Sequence, residues 1–487
     1  MAIQSSITGR SWWTHSLSTR WWIGLGHLGF LVLLIFSQVF FRERMLHFDT
    51  ANYAFNLIWF GKPYIQHDRW IGWLSQVPVL AFIKGGASIE TVLRVYSLVL
   101  MALPYLIFLV LVYLFRSPRG GLLLLLVQLL TIRYKFYAPV AEVVQSLTWV
   151  ALALGWLMRD PGRWPVASHR NILVAYVLAI PLLITHPFGL LSFGLGYLIW
   201  LSADGHWRSQ SAWLVPALAL IGFVLLRLLG GQSFSGYETG RLTVVREYAS
   251  QLSDLPSLYV WERFWWYLQA HYPLTIVLFA GLFLVALSQK KIALALTAVV
   301  VFSVIALLAM LTHAYLNGPV YLMIDGYFAH LGLPIALLLV LALPKEPRPV
   351  TLLVLGILVI FSLHRIASVH TFFEKREALI TGIMDQQSTP DQPKLMASME
   401  GWDWSRLWVP WAVGMESLLM STLDHPDTPQ TIYFLQEGES LDYALRQKGH
   451  YIGQQGRPER YKYEERPPVF EALSPAPYRR VYVNGTY

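Results

Sequence analysis

The 487-residue sequence has no cysteine, which excludes a disulfide framework, a thiolate metal site and a thiol nucleophile. Any metal would have to rest on histidine, carboxylate or carbonyl ligands. Charge is also scarce. Only 14% of residues are charged, against roughly 25% in a soluble globular protein. The sequence contains no GxxxxGK[ST], HExxH or GxSxG, so the phosphate-loop, zinc-protease and serine-hydrolase signatures are all missing. GYETGRL, at 236–242, has glycines without the strand and helix that a dinucleotide loop needs. The formal charge of +8 is modest for this length and suits cytoplasmic loop anchoring better than nucleic-acid binding.

Apolar residues fill the gap: 55% of the chain is hydrophobic and the mean hydropathy is +0.47. A water-soluble fold could not hide so much apolar surface. Runs such as LGFLVLLIFSQVFF and TVLRVYSLVLMALPYLIFLVLVYLF approach or exceed the roughly 20 residues that a helical span requires. The first follows Arg10 and Arg20 with no small-residue cleavage site behind it, and reads as a retained first helix rather than a signal peptide. Spans are expected at 22–41, 91–115, 120–132, 140–158, 171–184, 188–202, 213–229, 273–288, 292–311, 328–343 and 351–363, about eleven in all. The segment 71–83 is too short to cross and reads as an interfacial or re-entrant helix. With that choice RSPR, RDPGRWPVASHR, DGHWRSQ, QKK and PKEPRP all share the side of the N-terminus, which the positive-inside rule makes cytoplasmic.

The expected architecture is an all-α polytopic membrane domain, residues 1–366, followed by a small α/β extracytoplasmic domain, residues 367–487. In that tail PQTIYFLQ and YRRVYVNGTY read as strands, and DQQSTPDQPK reads as linker. The opposite loops, 42–70, 133–139, 185–187, 230–272 and 312–327, hold the aromatic and ionisable residues. Trp261, Trp265, Trp266 and Tyr267 suit an interfacial helix at headgroup level.

The first of these loops gathers Glu43, His47, Asp49, Lys62, His67, Asp68 and Arg69. Asp49, directly after a hydrophobic span, is placed to act as a general base on an acceptor hydroxyl or amine. The competing reading is that Asp49 or Thr50 caps a helix starting at Ala51. Arg69 with His67 and Asp68 has the chemistry of a phosphate site, or else anchors the short helix that follows. Arg133, Lys135, His186, His313 and Asp325, with Arg241, Arg246 and His330, are further candidates, each of which alone also reads as an ordinary loop residue. Glu142 stands at the start of an apolar helix, where an ionisable group marks a functional site, with Arg133 or Lys135 as its expected partner.

Phe48-Asp49-Thr50-Ala51-Asn52-Tyr53, set in a large first external loop between a cytoplasmic N-terminus and an external tail, resembles the GT-C superfamily of polyprenyl-phosphate-sugar glycosyltransferases. The superfamily includes protein O-mannosyltransferases and lipid A aminoarabinose transferases. Its first-loop motif, often hydrophobic-Asp-Glu-x-x-Tyr, is matched at Asp49 and Tyr53, with Thr50 in place of the second acid. The resemblance implies a lipid-linked sugar donor arriving from the surrounding membrane lipids, an acceptor of unspecified kind on the extracytoplasmic side, and Asp49 as base. It further implies that Arg133, Lys135 or His186 holds the donor phosphate, in a bacterial-type inner membrane. The missing second acid leaves a divalent metal cofactor without support. The other classes open to the chain are a transporter or flippase for a lipid-linked or anionic substrate, and a non-catalytic membrane subunit. A transporter would set ionisable residues face to face near mid-membrane, whereas transfer chemistry needs them at the external surface.

Overall fold

The computed structural model describes residues 17–67, 69–159, 168–203, 205–210, 212–214, 216–217, 236–315, 321–342, 349–389, 391–398, 407, 410–435, 451 and 461–481. The span expected over 213–229 lies almost wholly outside them.

Among the described residues, five helices are long and apolar enough to cross a membrane, or six if one bent pair counts as a single span. The five are Arg20–Val39, Ile89–Leu114, Ile292–Leu311, Ile324–Ala342 and the apolar part of Pro349–Gln387. Four shorter apolar helices, Pro118–Leu129, Glu142–Leu157, His169–Ile184 and Pro187–Ser202, stand among them. The sequence places its helix boundaries by ordinary capping chemistry. The Ser88 hydroxyl accepts from Thr91 N–H at 3.3 Å, Ser117 accepts from Gly120 N–H with Pro118 at the first helical position, and Ser168 accepts from Asn171 N–H. Pro104 lies within Ile89–Leu109, and the helix ends in a wide turn at Val110–Leu114, the type of local rewinding that relieves disrupted helix bonding.

Burial separates the layers. Of the apolar window of Ile324–Ala342, 89% is buried, against 39% for Arg20–Val39 and 33% for Pro349–Gln387. The first is therefore the central helix and the others are rim helices. Leu28, Leu31 and Ile35 on one rim, and Leu353, Ile357 and Ile360 on another, are exposed. A belt of this kind belongs in hydrocarbon, and the chain is an integral membrane protein. Pro118–Leu129 and Glu142–Leu157 pack backbone to backbone: a Cβ on Gly120 would lie 2.7 Å from Gly155 Cα, and the Ser117 hydroxyl donates to the Gly155 carbonyl at 2.7 Å. Small residues permit such close approach in membrane bundles.

Two expectations about the loops change. Of the first-loop helices, Trp73–Lys84 does keep an exposed apolar face, with Trp73, Leu74, Val77 and Phe82 uncovered. The helix Phe48–Phe60 is instead enclosed, every residue from Thr50 to Trp59 being buried. The helix Tyr259–His271 does turn away from the next span, meeting Pro273–Ser288 at 87°, with Trp265 and Trp266 exposed. Tyr267, expected at the headgroups, is buried, because its hydroxyl donates to the Asp325 carboxylate at 2.6 Å.

Toward the C-terminus, three parallel strands form a sheet in the order β2-β1-β3, with β1 Lys394–Ser398, β2 Thr431–Leu435 and β3 Arg479–Val481. Lys394 pairs with Thr431, and Leu395 pairs with Arg479. Both expected strands form, over shorter stretches. Of the expected linker, the helix His370–Gln387 takes the first residues and Lys394 opens β1, and the stretch between them joins helix to strand. Phe55 and Trp59 of the enclosed first-loop helix pack on Tyr451, Tyr461 and Phe470 of the C-terminal part.

Candidate functional site

The enclosed helix begins at Phe48, whose φ of 53° is left-handed, a conformation that costs a bulky side chain roughly 1–3 kcal/mol. His47 is the N-cap and makes no side-chain cap bond. Asp49 and Thr50 are therefore inside the first turn and neither caps a helix at Ala51, so the competing reading of Asp49 does not hold.

One turn on from Asp49, Tyr53 donates its hydroxyl to Glu142 Oε1. The other oxygen, Oε2, takes the Arg69 guanidinium at 3.0 Å. Glu142, Tyr53 and Arg69 are all buried, so the pair is held in low dielectric with each Glu142 oxygen hydrogen-bonded. This corrects the expected pairing, because the partner of Glu142 is Arg69 and not Arg133 or Lys135. Arg69 is drawn inward, while His67 is exposed with a left-handed φ of 53°. Asp68 lies outside the described residues.

Asp49 is partly exposed and its carboxyl pKa is raised. Burial is the main cause; Lys135 opposes the rise, Glu142 adds to it and Arg69 opposes it. Its carboxylate has no hydrogen-bond or ion-pair partner among the described residues, and neither does the ammonium of Lys135, a buried residue. The backbone of Lys135 is fixed, since its N–H donates to Asp325 Oδ2 at 2.8 Å. Asp325 is fully buried and also accepts from Tyr267 and Tyr272, the latter at 3.0 Å. Arg133 lies over the Tyr134 ring, 4.6 Å from its centre. A small cleft of about 50 Å³ has Lys135 in its wall, with Leu100, Pro104 and Val144 and the polar Arg44 and Gln145.

The histidines border this group. His186 Nδ1 caps the helix Pro187–Ser202 by accepting from Phe188 N–H at 3.2 Å. Burial, with Arg69, His330, Arg241 and His67 nearby, pushes its pKa well down, so it is neutral at physiological pH. His313 is buried beside Ala309 O at 2.8 Å and has its pKa lowered to about 4 by burial. His330 is engaged by Val143 O and Ser192 Oγ, both at 2.7 Å. His313 and His330 are thus occupied by structural bonds.

Asp49, Arg69, Lys135, Glu142 and Asp325 gather in one neighbourhood: Arg69 is paired with Glu142, the Lys135 N–H is bonded to Asp325, and Asp49 feels the charges of Lys135, Glu142 and Arg69. Its hidden members are the tyrosines: Tyr53 is foreshadowed by the first-loop motif, whereas Tyr267 reads as an interfacial aromatic and nothing in the sequence singles out Tyr272. No protein-family model, curated protein or solved structure matches this chain.

Proposed function

We propose that this protein is a membrane glycosyltransferase of the GT-C type, which moves a sugar from a polyprenyl-phosphate-linked donor to an acceptor on the extracytoplasmic side. The observation that carries the reading is a pair of opposite charges without partners among the described residues: Asp49 and Lys135 influence one another, and neither forms an ion pair with any described residue. A base with a cation in its neighbourhood suits a reaction in which an acceptor loses a proton as a phosphate departs.

In the proposed step Asp49 removes the proton from an acceptor hydroxyl or amine while that atom bonds to the anomeric carbon of the sugar. The bond from that carbon to the phosphate oxygen breaks, and the Lys135 ammonium, with Arg133 close in sequence, stabilises the charge left on the phosphate. Glu142 supplies beside Asp49 the second carboxylate that Thr50 does not. This reading takes the finer topology with it: about eleven spans, a cytoplasmic N-terminus, and residues 367–487 as an extracytoplasmic domain in a bacterial-type inner membrane. Favouring it over a transporter, Asp49, Arg69, Lys135 and Glu142 lie in loops and at helix starts rather than midway along spans.

The test is transfer of labelled sugar from a panel of polyprenyl-phosphate sugars by the protein in lipid nanodiscs. Asp49→Asn should lower transfer by about 10²–10⁴-fold, the usual worth of a general base. Full transfer by a natively folded Asp49→Asn protein would sink the proposal. Uptake of donor into vesicles without bond transfer would favour the transporter.

A further inference from the structure

A second cluster of ionisable groups lies outside the Asp49 group. The short helix Phe41–Met45 carries Glu43, and the helix His370–Gln387 carries His370 and Glu374. Residues i and i+4 share a helix face, so His370 and Glu374 present together. One ligand atom from each of the three residues lies within 4.8 Å of the others. His370 Nδ1 and Glu374 Oε2 are already 3.4 Å apart. Two ligands on a tetrahedral ion, at bond lengths near 2.1 Å, are separated by about the same distance.

An independent observation points to a ligand here. Glu43 is only 8% exposed, its carboxylate is held by its own backbone N–H and by no side chain among the described residues, and it lines a cavity of about 490 Å³. Buried carboxylates are ordinarily paired or bound to metal. Around the cavity Glu374, Glu377, Asp385 and Asp424 join Glu43 against the single guanidinium of Arg42. Arg42 is committed to Glu377 and Asp424, so Glu43 and Glu374 keep uncompensated charge. Burial and the neighbouring carboxylates accordingly raise the pKa of Glu43. The imidazole is also positioned, because the Phe40 ring stacks on His370 at 5.1 Å between centres.

We propose that Glu43, His370 and Glu374 bind a divalent cation of borderline character, Zn²⁺ or Mn²⁺, which ties the first-loop helix to the helix that follows the last apolar span. Three protein ligands with one nitrogen among them suit such an ion. Ca²⁺ asks for six to eight oxygens, more than these side chains offer. The inference is independent of transfer chemistry and is read by binding alone.

The experiment uses the full chain purified through a tag without histidine, stripped with chelator and titrated with Zn²⁺ by calorimetry. One site with a dissociation constant below about 10 µM is expected, together with a melting temperature that rises with Zn²⁺. His370→Gln and Glu374→Gln, both at positions open to solvent, should each weaken binding at least about tenfold, while Asp427→Asn, remote from the cluster, should leave it unchanged. No binding by the wild-type protein would overturn the proposal, as would equal binding by the His370→Gln/Glu374→Gln protein or tighter binding of Mg²⁺ than of Zn²⁺.

Discussion

Two buried arginine–glutamate pairs grip the same helix, Phe48–Phe60, and their surroundings differ. Arg376 and Glu416 are fully enclosed and 2.6 Å apart. Arg376 also donates to Leu407 O at 3.0 Å and to His47 Nδ1 at 2.8 Å, and stacks over the Phe48 ring. Glu416 accepts the Phe48 N–H at 2.5 Å. The bonds converge on the strained residue that precedes Asp49 and hold it in place. Arg69 and Glu142 form a slightly less buried pair, with side chains 8% and 10% exposed, and beside it stand Asp49 and Lys135 without partners among the described residues. One pair closes a structure, and the other borders a space. A buried charge beside an unfilled partner position is costly, and such cost is characteristic of sites kept for chemistry.

The largest effect should come from breaking the closed pair. Glu416→Ala leaves the Arg376 guanidinium buried without its counter-charge, which should cost about 3–5 kcal/mol, read as loss of folded protein or a large fall in melting temperature. The double replacement Arg376→Met/Glu416→Met should recover most of that stability, since apolar substitutes for a buried pair are often neutral. A single variant with unchanged melting would deny the clamp its role.

Next in size is the pH dependence at the open pair. A base must be ionised to act, and Asp49 has a raised pKa, so the acid limb of the transfer profile should lie above the ordinary carboxylate value of about 3.9. Lys135→Met removes an opposing cation and should move that limb to higher pH. Glu142→Gln removes a like charge and should move it lower. Movement in the same direction would contradict the arrangement. For stability the sign is reversed: a carboxyl raised in the folded state favours folding below its unfolded pKa, and that contribution is lost as pH rises through the folded value. Asp49→Asn should therefore melt no lower than the wild type at neutral pH, in contrast to Glu416→Ala.

The smallest effect belongs to an exposed pair, Arg94 with Glu90 at 2.7 Å on one helix face. Arg94→Ala should change stability by roughly 0.5 kcal/mol or less, which sets the scale for the two buried pairs.

Much of the membrane-embedded architecture was legible because bilayer thickness writes itself into apolar run length. The expected spans 273–288 and 292–311 coincide with the helices Pro273–Ser288 and Ile292–Leu311. Charged loops mark where such runs end. The enclosure of Phe48–Phe60 was not legible, because its covering residues, Glu416, Tyr461 and Phe470, lie far along the chain and carry no local periodicity that names a partner. Arg376 reads as an ordinary surface residue in a polar helix. The strand at Lys394 was masked by the Pro- and Gln-rich stretch before it. Of the site, Asp49, Arg69, Lys135, Glu142 and Asp325 were visible as ionisable groups out of place in an apolar chain. Which of them pair depends on helix packing, and 73 positions separate Arg69 from Glu142.

The contact of Gly120 with Gly155 gives that packing a mechanical consequence. Glu142 and Gly155 stand at opposite ends of one helix, 13 residues or roughly 20 Å apart at 1.5 Å per residue. With the backbones touching at one end, the helix is a stiff lever whose pivot lies near the end opposite Glu142. A methyl group added at the pivot would tilt the lever and swing the Glu142 carboxylate off Tyr53 and Arg69. Inheritance of this site therefore constrains a glycine that no substrate would ever approach.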